Sequence, residues 1–65
     1  QTASSAMIDY IYRVQVRHGA GRHWQTKYAV PNRTQAEMLY RGVNIGLGWQ
    51  KRLMQRDELL AQAES

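Results

Sequence analysis

The chain has 65 residues, nine Lys+Arg against five Asp+Glu, a formal charge of +4 and no cysteine, and a sequence pI near 10.0. That length allows one small domain with a core only just sufficient for stability, and the lack of cysteine excludes both a disulfide framework and a thiolate metal site. The basic balance points toward a polyanionic partner, and no apolar run reaches membrane-spanning length.

Residues 1–6 (Gln-Thr-Ala-Ser-Ser-Ala) are small, polar and without period. They read as a disordered leader or as expression-derived residues, with Met7 as the natural start and residues 7–65 as a single small domain.

Residues 8–16 alternate. Ile8, Tyr10, Tyr12, Val14 and Val16 share one parity, and Asp9, Arg13, Gln15 and Arg17 share the other, with Ile11 as the exception. A second run repeats the pattern, with Trp24, Thr26, Tyr28 and Val30 against His23, Gln25, Lys27 and Ala29. Strict alternation of this kind marks half-buried strands. Gly19-Ala20-Gly21 between them suits a three-residue hairpin loop with Gly21 left-handed. The implied register sets Val16 opposite Trp24, Val14 opposite Thr26, Tyr12 opposite Tyr28 and Tyr10 opposite Val30. On the other face it sets Arg17 against His23, Gln15 against Gln25 and Arg13 against Lys27. Like charges directly opposite one another are destabilising, so this polar face suits an anionic partner.

Pro31 closes the second strand, since it cannot donate to a ladder and restricts the residue before it. Thr34 and Glu37 then have the form of a capping box. Ala36, Leu39, Tyr40, Val43 and Leu47 recur at helical spacing, and Glu37 and Arg41 form an i,i+4 pair. Gly42, Gly46 and Gly48 end this helix between Asn44 and Gly46. The expected class is α+β, a β-hairpin packed against an amphipathic helix (ββα). The propensities of residues 50–63 favour a second helix. The alternative is a third strand at Trp49–Gln55, a turn at Arg56-Asp57-Glu58 and a short fourth strand over residues 59–63.

Catalytic candidates are few. His18 and His23 flank the loop with Arg22 nearby, but nothing orients either imidazole and no complete constellation assembles, so the chain is not expected to be an enzyme. Two histidines without cysteine or nearby carboxylates make a poor metal site, and no cofactor is implied. Tyr10, Tyr12, Trp24, Tyr28, Tyr40 and Trp49 could stack bases. Most share the apolar face with the valines and should be core, with Trp49 the best candidate for exposure.

The polar face of the hairpin therefore carries the functional expectation. Arg13, Gln15, Arg17, Arg22, His23, Gln25 and Lys27 offer donors to phosphates or base edges, and a two-stranded ribbon fits the DNA major groove. The expected role is a small basic nucleic-acid-binding protein, DNA or RNA unspecified, in the cytoplasm and without membrane association. The alternative is a protein-interaction module or inhibitor docking on an acidic or nucleic-acid-binding protein or a larger nucleoprotein assembly. A homodimer would supply burial that so short a chain lacks. The spacing from Tyr12 to Tyr40 (aromatic, turn, Trp24, then Gln35-Ala36-Glu37) faintly resembles the sheet-and-helix DNA-binding domains of phage integrases and plant AP2-type factors. In those domains a basic sheet face reads DNA and an amphipathic helix packs behind it. The likeness covers under half the chain, rests on generic spacing, and identifies no family.

Overall fold

A computed structural model of the chain describes residues 10–65, so the expectations for residues 1–6, Ile8 and Asp9 lie outside the described residues. Its elements are β1 (Tyr12–His18), β2 (Gln25–Val30), α1 (Arg33–Gly42), β3 (Trp49–Gln55) and β4 (Glu58–Glu64). The strands form one antiparallel sheet in the order β2-β1-β3-β4. The domain is thus α+β, as alternation and amphipathicity predict. The second C-terminal helix does not exist. Residues 49–64 form a two-stranded hairpin closed by Arg56-Asp57, with Arg56 at φ 54°.

Helix-forming side chains adopt strand structure here because long-range partners outweigh propensity. β3 pairs with the central strand β1 from Tyr12↔Gln55 to His18↔Trp49. Leu53 lands opposite Val14 and joins it in the core. Lys51, on the same side, has its own partners: Nζ donates to the carbonyls of Tyr40 (2.8 Å) and Val43 (3.1 Å) and lies 4.6 Å from the centre of the Tyr40 ring. A cation at the last carbonyls of a helix satisfies orphan acceptors and complements the dipole.

The helix covers one side of β1, β2 and β3. The core is small: Val14, Val30, Ala36, Val43 and Leu53, flanked by Tyr12, Val16, Leu39, Tyr40, Ile45, Leu60 and Ala61. Two helix details differ from the sequence reading. The N-cap is Asn32, whose Oδ1 accepts from the Gln35 amide at 3.2 Å, and Glu37 pairs with Arg33 at 3.0 Å instead of Arg41. The helix also stops at Gly42 with Val43 as its cap, so Leu47 falls in the following loop and is 89% exposed.

The β1–β2 register departs further from the simple alternation. Pairing runs Tyr12↔Val30, Arg13↔Ala29, Val14↔Tyr28, then shifts to Gln15↔Thr26 and Val16↔Gln25. Lys27 is the extra residue of a β-bulge, which lets two residues of one strand oppose one on its partner. The loop consequently spans residues 19–24, with Gly19 and Gly21 at positive φ. Arg13 faces Ala29 and Met54, so the predicted Arg13–Lys27 like-charge pair is absent.

Candidate nucleic-acid interface

The side of the sheet away from the helix is formed by alternate residues of β1 and β3 and by the β4 residues paired with them across a second register shift at Leu60. β1 supplies Arg13, Gln15 and Arg17, β3 supplies Gln50, Arg52 and Met54, and β4 supplies Leu59, Gln62 and Glu64. The bulge decides what β2 adds. Without it, Trp24 and Thr26 would follow Tyr28 to the helix side. With it, both turn to the open face: Thr26 Oγ1 accepts from Gln15 Nε2 at 3.1 Å, and the Trp24 ring meets two guanidinium groups. The Arg17 and Arg52 guanidinium carbons lie 4.4 and 4.3 Å from the Trp24 ring centre. Each contact of this type is worth about 0.5–1 kcal/mol at a partly exposed site.

Two glutamines orient these arginines. Gln15 Oε1 accepts from Arg52 Nε at 2.7 Å, and Gln50 Oε1 accepts a short hydrogen bond from Arg17 Nε. The amide groups pass the chain outward, Gln15 to Thr26 and Gln50 Nε2 to Glu64 Oε2 at 2.8 Å. Both guanidinium groups are thus held through Nε; among the described residues, the one hydrogen bond from their terminal nitrogens, which suit a phosphate or carboxylate, is from Arg17 Nη1 to the Arg22 carbonyl at 3.4 Å. Partial burial, reinforced by the charge of Arg17, pulls the Arg52 pKa below its usual value. The direction means that the cation is less well solvated than in water and has a like charge nearby, a setting in which an added anion is favoured. Among the described residues, no ion pair engages Arg13, Arg17 or Arg52.

The remaining predicted site residues lie elsewhere. Arg22, His23 and Gln25 line a cleft of about 370 Å³ at the loop end of the sheet, together with Arg17, His18 and Trp49. Lys27 lies on the helix side, lining a second cleft with Val16, Val43, Ile45 and Trp49. Of the residues expected on one face, the structure places Arg13, Gln15 and Arg17 together, puts Lys27 on the helix side and Arg22, His23 and Gln25 at the cleft, and adds Arg52, Gln50 and Trp24, which were not expected there from the sequence. The alternation of Gln50, Arg52 and Met54 against Trp49, Lys51 and Leu53 contains the signal for the first two, but only once the segment is read as a strand. Trp24 could not be found by parity, because a bulge breaks parity. The expectation that most aromatics are core is also too simple: Tyr10 is 50% and Tyr28 38% exposed, whereas Trp49 is half-buried.

Among the described residues, two strands precede the helix and two follow it. No protein-family model, curated protein or solved structure matches the chain.

Proposed function

We propose that the protein binds nucleic acid through the open face of its sheet, with Arg13, Arg17 and Arg52 on phosphates. The observation that carries this reading is the pair of guanidinium groups held over Trp24 by Gln15 and Gln50, cationic, oriented, and not neutralised by a described carboxylate. Orienting a guanidinium before binding reduces the entropy lost when it meets its ligand.

Strand number bears on the proposed mode of docking. Neighbouring strands lie about 4.8 Å apart, so the outer strands of this sheet are separated by about 14 Å before side chains are added. The B-DNA major groove is about 12 Å wide. A two-stranded ribbon fits within it, whereas a face of this width favours contacts to the phosphates along the groove edges.

The test is fluorescence anisotropy with duplex DNA, single-stranded DNA and single-stranded RNA over a salt series. Binding should weaken log-linearly with salt, and Arg52→Gln should weaken it further. Absence of binding to all three at low salt refutes the reading. A second reading then takes its place, because Met54 and Leu59, the latter 51% exposed, give the same face an apolar end beside Arg13. An apolar patch rimmed by arginine suits a protein partner. Its signature is a stoichiometric protein retained from nuclease-treated lysate.

A further inference from the structure

The cleft at the loop end of the sheet differs from the open face in chemistry. His18 and Trp49, paired across β1 and β3, stack with ring centres 4.8 Å apart and planes 20° from parallel. Gly48 lies against the His18 ring of this stack. It adopts φ +86°, a backbone conformation that favours glycine, and a Cβ there would sit in ordinary contact with His18 Nε2 at 3.4 Å. His18 is the exposed member of the stack and Trp49 the half-buried one. The outer face of the imidazole therefore continues a π-surface that Trp49 anchors. Arg17, Arg22, His23 and Gln25 line the same cleft, bringing cationic and amide donors beside the rings. Its volume of about 370 Å³ falls within the range of small-ligand pockets, about 300–1,000 Å³, and exceeds what a bare phosphate needs.

We infer that this cleft holds one unpaired nucleotide, its base extending the His18–Trp49 stack and its phosphate met by Arg17 and Arg22. A flat ring surface recognises any base without reading its edge, and the adjoining arginines supply the charge that tracks the backbone. A base inside a duplex is stacked on its neighbours and cannot enter the cleft, so the site selects single-stranded ends or gaps over continuous duplex. This rests on the nucleic-acid reading above and adds to it the form of nucleic acid preferred.

The chain's two tryptophans separate the two claims, because Trp24 reports the open face and Trp49 the cleft. The experiment titrates the ¹⁵N-labelled protein with a short blunt DNA duplex and with the same duplex carrying an unpaired overhang. Both indole N–H resonances are followed, and affinities are measured in parallel by anisotropy. The blunt duplex should move the Trp24 resonance alone. The overhang should move both and bind about tenfold more tightly, the effect of stacking one base on an aromatic surface. His18→Ala should remove that preference while leaving blunt-duplex affinity unchanged, with an unshifted Trp24 resonance in the free protein showing that the sheet is intact. If the overhang binds no more tightly than the blunt end, or leaves Trp49 unmoved, the cleft assignment is overturned while the open-face reading stands. If neither DNA binds, the nucleic-acid reading falls and the cleft assignment falls with it.

Discussion

Arg13→Gln removes one charge from the open face and little else, since Arg13 is exposed and makes no ion pair among the described residues. Each phosphate neutralised on duplex DNA contributes about 0.9 to the slope of log affinity against log salt. If Arg13, Arg17 and Arg52 each meet one phosphate, the wild-type slope is about −2.7, and affinity falls about fortyfold between about 50 and 200 mM salt. Losing Arg13 brings the slope to about −1.8 and the fall to about twelvefold over the same interval. Stability should change by less than about 0.5 kcal/mol, as for other surface substitutions. The assay is an anisotropy salt series on wild type, Arg13→Gln and Arg41→Gln. The last removes the same charge from α1, which covers the opposite side of the sheet. A slope unchanged in Arg13→Gln would mean that Arg13 meets no phosphate, and a slope reduced equally in Arg41→Gln would mean that net charge and not this face governs binding.

Lys51→Met should destabilise the domain by about 2 kcal/mol, discounted for partial exposure from two charged hydrogen bonds, because Nζ is the shared donor to the Tyr40 and Val43 carbonyls. Against a stability of roughly 3–10 kcal/mol for this length, that is a clear drop in the urea midpoint, and an unchanged midpoint would show that the lysine does not hold the helix end. Burial raises the Tyr40 pKa above its ordinary 10.0. The unfolded chain therefore loses that proton first, and the contribution is fully present below pH 10 and lost as pH rises through the folded value. Tyr40→Phe should flatten the alkaline fall in stability, measured by urea titration on either side of that value; an equally steep fall in the variant would assign it to another group.

The elements legible from sequence are those whose side chains sort by local contrast. Tyr12, Val14 and Val16 against Arg13, Gln15 and Arg17 mark β1, Pro31 marks the end of β2, and Ala36, Leu39, Tyr40 and Val43 mark the buried stripe of α1. β3 lacks that contrast. Its helix-facing side includes Lys51 and its open side includes Met54. Each is tolerated for a reason visible only in three dimensions: Lys51 by the helix C-terminus, Met54 by lying beside Arg13 on an uncovered surface. Propensity then points to helix, and the pairing of β3 along the whole of β1 overrides it. The candidate site was legible to the same extent. The β1 arginines follow from alternation alone, whereas Arg52 depends on the fate of β3, and the placement of Trp24 depends on the bulge.

The bulge makes Lys27 a spare residue in its strand. Were it deleted, Thr26 would follow Tyr28 directly, and ordinary alternation would still send Thr26 and Trp24 outward, with Val14↔Tyr28 and Gln15↔Thr26 kept. Replacing the bulge with a fully paired Lys27 would do the reverse, swinging the indole toward the helix and leaving both guanidinium groups without the ring they rest on. The chain can therefore shorten here and keep its surface, but it cannot straighten at its present length without turning that surface inside out.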